Sequence, residues 1–122
     1  MLEIITIIYE KKNKVSAFSL YVGGLNGSLS SVPSHELGSV VIAEALRRCN
    51  IQADDVSEVI MGQVLTCGQG QNPARQASVN AGLPHSVPAT SVNMVCGSGL
   101  RSVACAAQSV KAGDSQIVVA GG

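Results

Sequence analysis

From residue 59 to residue 122 this chain carries only four charged side chains: Arg75, Arg101, Lys111 and Asp114. A free-standing domain places about a quarter of its residues in charged types, mostly at its surface. A stretch this poor in charge reads as a segment covered on most sides, and a chain of 122 residues cannot easily cover itself that way. The expectation is a piece of a larger body, or a subunit that buries much of its surface against partners.

The total charge is balanced, eight Lys+Arg against eight Asp+Glu, so no long-range field draws the chain to nucleic acid or to an anionic membrane. Two Tyr, one Phe and no Trp leave little for base stacking. The apolar runs fall far short of the roughly 20 residues that span a bilayer. Glu3 lies inside the N-terminal apolar run and Glu10 follows it, unlike a secretory signal or an Arg-rich transit peptide. One soluble, cytoplasmic domain is expected, with neither nucleic acid nor membrane as a partner.

Cys49, Cys67, Cys96 and Cys105 form no C-x-x-C pair and have no histidine at ligand spacing, so no metal site is expected. Without a secretory context they read as reduced thiols, one or two of them reactive.

Along the chain, the Ile-rich residues 2 to 9 read as a strand. Glu10 to Ser31, with three Lys, Gly23-Gly24 and Asn26-Gly27, reads as loop or turn. A helix is predicted after Pro33, with Ser34 as N-cap, Glu36 in the first turn, Arg47 and Arg48 near the end and Asn50 as the stop. Val56 to Thr66 holds a strand, and residues 68 to 72 form a loop. Pro73 opens a short helix that Gly82 and Pro84 close. Ala89 to Met94 is a strand, Cys96 to Ala112 a helix, and Gln116 to Ala120 a final strand running into Gly121-Gly122. The order β-α-β-α-β-α-β predicts a layered α/β sheet.

The sharpest local feature is Asn93-Met94-Val95-Cys96-Gly97-Ser98-Gly99-Leu100-Arg101, where a strand hands over to a helix. With Cys96 in the first helical turn, the positive end of the helix favours the thiolate. Free N–H groups there offer donors to the oxyanion formed when a thioester carbonyl is attacked. Gly97 and Gly99 leave room for an acyl group and its carrier. The helix that follows is mostly Gly, Ala, Ser and Val, the composition of a closely packed central helix. At about 100° per residue, Cys105 falls opposite Cys96 and reads as a packing residue.

On spacing alone, a cysteine in an apolar α/β chain is more often an inert small hydrophobe than a nucleophile. Ser98 is a rival nucleophile, although the G-x-S-x-G elbow is absent. His35 and His85 read as surface residues with no evident claim as the base for Cys96. Gly68-Gln69-Gly70 lacks the third Gly of a dinucleotide fingerprint and the Lys of a P-loop, and reads as a packing or interface loop.

The run N-M-V-C-G-S-G-L-R-S-V resembles the thiolase signature around the acyl-accepting cysteine. Residues 29 to 122 are similar to that family throughout: SHELG, GQVLTCGQGQNPARQ, AGLPHSVPA, the signature, then IVVAGG. Within the family the likeness is to the acetyl-CoA acetyltransferases of cytosolic type. The resemblance implies a thiolase-like layered fold, of which this chain supplies the first β-α-β-α-β-α-β part of the N-terminal half. Residues 1 to 28 stand apart as an atypical segment, with EKKNKVSAFSLYVGG where thiolases have a first strand and an A-R-T-P turn.

The resemblance also implies that Cys96 takes an acetyl group from acetyl-CoA, its own N–H donating to the oxyanion. A second acetyl-CoA then condenses with it in a Claisen reaction to give acetoacetyl-CoA. Coenzyme A thioesters are the substrates, no cofactor is bound, and full-length members are expected to be homo-oligomers. The histidine and second cysteine that the family uses belong to the C-terminal half, as do most CoA contacts. Loss of general-base assistance alone costs about 10²–10⁴-fold, so little activity is expected of these 122 residues by themselves. Two other readings stand beside this one: a non-catalytic polypeptide that binds full-length thiolase subunits, and a ketosynthase-like condensing enzyme.

Overall fold

A computed structural model describes residues 5–10, 15–19 and 23–122. Residues 2–4 of the expected first strand, and Lys11, Lys12 and Lys14 of the expected loop, lie outside the described residues. The elements are β1 (Ile5–Glu10), β2 (Val15–Ser19), α1 (Ser34–Cys49), β3 (Glu58–Gly62), α2 (Pro73–Asn80), β4 (Ala89–Val92), α3 (Ser98–Ala112) and β5 (Ile117–Gly121), with a 3₁₀ turn at Ala53–Asp55. They build one mixed sheet in the order β2-β1-β5-β3-β4. β5, β3 and β4 run parallel, while β1 is antiparallel to both β2 and β5.

The parallel strands are apolar because helices cover both of their faces. Val59, Met61 and Val119 point to one side and pack with Val41, Ile42, Ala45 and Leu46 of α1 and Ala74 and Ala77 of α2. Ile60, Val118 and Ala120 point the other way, against Ala106 and Val110 of α3. The switch of face at each successive residue is the period-2 alternation of a strand. The result is an α/β/α sandwich with α1 and α2 on one face and α3 on the other, the partial thiolase-like layering that was expected.

Four expectations about element bounds are corrected. The stretch read as loop contains β2, whose partner is β1; such a short edge strand owes its existence to pairing more than to propensity. Ser34 is the first helical residue of α1 and Pro33 holds the cap position. The Ser34 hydroxyl instead donates to Gln69 Oε1 at 3.2 Å and accepts from Gln63 Nε2 at 3.1 Å. The strand expected to reach Thr66 stops at Gly62, where the chain turns away toward α2. The strand expected to reach Met94 stops at Val92.

Other local signals hold. Asn50 ends α1 in the left-handed conformation (φ 54°), donating its N–H to the last carbonyls. Asn72 caps α2, its Oδ1 accepting from the Arg75 N–H at 3.0 Å, and Pro73 occupies the first turn. At the far end of the sheet Glu58 Oε1 accepts from the hydroxyls of Ser109 and Ser115, tying the C-terminal end of α3 to β3.

On the surface of α1, Arg47 Nε and Nη2 reach Glu44 at 2.8 Å, and Arg48 joins from the next position. These hydrogen bonds hold the Glu44 carboxyl down at about 2, from an ordinary 4.5. A carboxylate depressed in the folded state adds stability above its unfolded value, and the contribution disappears as pH falls through the folded one. The loss expected from this cluster therefore lies between pH 4.5 and about 2. It is small, because the pair is exposed. Thermal melts of wild type and Glu44→Gln should converge across that window. The difference at neutral pH should also fade in 1 M salt, where the screening length is about 3 Å.

Candidate active site

The turn between β4 and α3 is built by short polar side chains bonding to nearby backbone. Asn93 Oδ1 accepts from the Val95 N–H at 3.0 Å, and its Nδ2 donates to the Val64 carbonyl at 3.1 Å. Ser98 Oγ accepts from the Met94 N–H at 2.9 Å and donates to the Val95 carbonyl at 2.6 Å. Between these anchors Val95 has φ 49°. The left-handed region is rare for a β-branched residue and costs of the order of 1–3 kcal/mol, so it persists only where the surroundings over-determine it. Two further bonds close the turn, Gly97 N–H to the Met94 carbonyl at 3.0 Å and Ser98 N–H to the Val95 carbonyl at 3.1 Å.

Cys96 sits at the crest of this turn and is exposed. Gly97 is the N-cap of α3 and Ser98 its first helical residue. Cys96 is thus outside the helix, correcting the expected start at 96, and the angular argument that placed Cys105 opposite it does not apply. Cys105 is nevertheless half-buried against the α3 core, as a packing residue. The turn takes the place of a first helical turn because Val95 redirects the chain before α-helical bonding begins, the Arg101 N–H bonding to the Gly97 carbonyl at 2.8 Å. Any effect of the helix dipole reaches the thiol across this turn and is correspondingly weaker. The Cys96 N–H is not used by the two bonds that close the turn.

Directly beneath, three backbones meet. A Cβ on Gly62 would stand 2.5 Å from the Ser98 carbonyl carbon, one on Gly99 would stand 2.6 Å from the Gly122 oxygen, and one on Gly122 would stand 2.5 Å from Gly62 Cα. The fully buried Ser102 lies below this junction, its Oγ 2.6 Å from the Gly99 oxygen and 2.7 Å from the Gly121 oxygen. Gly99 therefore serves the seating of α3 on the ends of β3 and β5. This places Cys96 at the carboxyl end of the parallel strands, where open α/β sheets form their binding crevices.

Large apolar side chains stand exposed on the turn, on α3 and on the loop after β3, beside the exposed Asn93 and Arg101. Met94 is 52% exposed, Val95 63%, Leu100 76% and Leu65 82%, with Val64 alongside. The Asn93–Val64 bond brings the loop after β3 to the rim of the Cys96 turn. Ser98 is 4% exposed and its hydroxyl is committed on both sides, which removes it as a rival nucleophile. His85 is held at its carbonyl by Arg75 at 2.7 Å, and His35 lies in the first turn of α1. Neither hydrogen-bonds to Cys96. In the 68–72 loop Gly68, Gly70 and Gln71 are exposed, and Gln76 Nε2 donates to the Gln69 carbonyl at 2.7 Å beneath Gly70 at φ 85°. Among the described residues, no three His, Cys, Asp or Glu cluster as metal ligands, and no helix is long and apolar enough to cross a membrane.

The roles of Asn93, Ser98 and Ser102 were not foreseen. The signal available for the first two was an Asn three residues before and a Ser two residues after the cysteine, both types that bond local backbone.

The family model for the N-terminal domain of thiolase matches residues 15–122. The chain belongs to the thiolase family. The match begins ahead of residue 29, where the recognisable motifs start, and takes in the whole Asn93–Arg101 turn. The chain is 60% identical over 108 residues to the cytosolic acetyl-CoA acetyltransferase of Mus musculus, covering 88% of this chain and 27% of that protein. It is 59% identical over 108 residues to the acetyl-CoA acetyltransferase of Cupriavidus necator, covering 28% of it. Against the acetyl-CoA acetyltransferase of Shinella zoogloeoides the identity is 52% over 101 residues, 83% of this chain and 26% of the relative. The chain thus spans about a quarter of the length of these thiolase relatives.

Proposed function

We propose that this chain carries the acyl-accepting half of a thiolase site, with Cys96 as nucleophile toward acetyl-CoA. One observation carries the reading: the Cys96 thiol is exposed at a braced turn over the carboxyl ends of the parallel strands, with the exposed apolar Met94, Val95 and Leu100 close by in the chain. The Cys96 thiolate attacks the thioester carbonyl of acetyl-CoA. The new carbon–sulfur bond forms on Cys96, and the bond to coenzyme A sulfur breaks. Coenzyme A leaves as thiolate and takes up a proton. The Cys96 N–H is the oxyanion donor assigned to this step. Condensation of the acetyl group with a second acetyl-CoA to acetoacetyl-CoA belongs to the assembled site of a whole thiolase. A cytoplasmic homo-oligomer of full-length chains is the setting proposed for it.

A second reading is favoured by the same exposed apolar side chains: a polypeptide that binds full-length thiolase subunits without catalysing. Exposed apolar side chains gathered at one edge are a common mark of a protein interface.

Intact mass after incubation with acetyl-CoA, beside Cys96→Ser, tests the first reading. A predominant acetyl adduct that maps to Cys96 is expected on the wild-type chain, and far less acetylation on Cys96→Ser, where the exposed Cys67 remains. A folded wild-type chain that gains no adduct, yet co-elutes with a full-length thiolase subunit, would replace the first reading by the second.

A further inference from the structure

We propose that Ser98 is a positioning residue for Cys96, acting through the left-handed turn at Val95. The inference rests on the reading of Cys96 as nucleophile. A valine with φ 49° needs external restraint. Ser98 Oγ supplies it from both sides of the turn, accepting the Met94 N–H at 2.9 Å and donating to the Val95 carbonyl at 2.6 Å. At 4% exposure this hydroxyl is shielded from water, which cannot readily replace it. Asn93 completes the clamp by accepting the Val95 N–H and anchoring itself on the Val64 carbonyl. Cys96 follows Val95 directly and precedes the N-cap, so its Cα–Cβ direction is set by the conformation this clamp enforces. Without the clamp, Val95 relaxes to an extended or right-handed conformation and the thiol swings away from its place over the strand ends.

The molecule holds its own reference in Cys67, exposed in the loop after β3, which Asn93 ties to the turn at Val64 but to which Ser98 makes no hydrogen bond. The experiment measures acetylation of Cys96 relative to Cys67 by a small acyl donor, S-acetyl-N-acetylcysteamine, with peptide mapping by mass spectrometry. Amide hydrogen exchange at Met94 and Arg101 is followed in the same samples. Ser98→Ala should lower the Cys96:Cys67 ratio at least fivefold and speed Met94 exchange at least tenfold, leaving Arg101 exchange unchanged. Ser98→Thr, which keeps the Oγ, should hold the ratio within about twofold of wild type. Adding Val95→Gly to Ser98→Ala should restore most of the ratio, because glycine adopts the left-handed conformation unaided. That rescue separates positioning from a general loss of structure.

An unchanged ratio and unchanged Met94 exchange in Ser98→Ala would overturn the proposal. So would a parallel change at Cys67 and Arg101, which marks a structural role only. If wild-type Cys96 reacts no faster than Cys67, the nucleophile reading fails instead. Positioning then stands or falls on Met94 exchange in Ser98→Ala and on its return toward the wild-type rate with Val95→Gly. Should Ser98→Ala not fold, Asn93→Ala probes the same turn at an exposed position through the Val95 N–H; because it also releases the Val64 carbonyl on the Cys67 loop, it is read by Met94 exchange and its return with Val95→Gly, and unchanged Met94 exchange overturns the proposal.

Discussion

Gly99→Ala is expected to destabilise the fold by about 3 kcal/mol or more, although replacing glycine by alanine inside a helix ordinarily stabilises it by up to about 1 kcal/mol. The sign reverses because the new methyl would stand 2.6 Å from the Gly122 carbonyl oxygen. That oxygen is backbone, and the Gly122 carbonyl carbon and Cα stand 3.2 Å and 3.6 Å from the same point, so relief means moving main chain. Relief requires lifting the start of α3 off the sheet, which separates Ser102 Oγ from the Gly121 oxygen and leaves that hydroxyl only its bond to the Gly99 oxygen of its own helix. Gly62→Ala should behave alike, its methyl 2.5 Å from the Ser98 carbonyl carbon. Gly24→Ala, where nothing lies within 4 Å, should shift stability by less than about 0.5 kcal/mol. Urea denaturation of the three variants checks this. A Gly99→Ala chain as stable as Gly24→Ala would mean that the strand ends and α3 are not in backbone contact. Against a typical total of about 5–15 kcal/mol, the expected loss is a large fraction.

Ile42→Ala should cost about 3–4 kcal/mol, and Ile42→Val about 1 kcal/mol. Ile42 is fully buried on α1, in the cluster that joins α1 and α2 to Val59, Met61 and Val119. Truncation removes apolar area and leaves a cavity between a helix and a sheet pinned from its other side by α3, so collapse is limited. The two substitutions differ in their reach. Gly99→Ala disturbs the seat of the Cys96 turn, whereas Ile42→Ala acts on the opposite face of the sheet. In the folded fraction of each, Cys96 acetylation relative to Cys67 should fall for Gly99→Ala and stay near wild type for Ile42→Ala. Equal falls would mean that both faces of the sheet determine the thiol's place.

These expectations place the functional weight on a short stretch of backbone. Among the described residues no base is hydrogen-bonded to Cys96. What distinguishes it from the exposed Cys67 is the brace beneath it: the Ser98–Asn93 clamp and the glycine junction of Gly62, Gly99 and Gly122.

Much of this could be read from residue order. Hydrophobic alternation and punctuation by Pro73, Gly82 and Asn50 predict the parallel strands and three helices, because those signals act locally: Pro sets φ at a first turn, and Asn accepts the left-handed cap. The spacing N-x-x-C-x-S-G pointed to Cys96 and to the family, since that motif lies within nine consecutive residues. The pairing of β1 with both β2 and β5 was beyond such reading, because strand pairing depends on which edges the rest of the sheet leaves open. So was the difference between Ser98 as a nucleophile and Ser98 as a clamp, which is decided by burial and by two backbone partners. The work of Gly99 was hidden for the same reason: the oxygen it makes room for lies 23 residues away along the chain, at Gly122, and only the folding of β5 against α3 brings it to 2.6 Å.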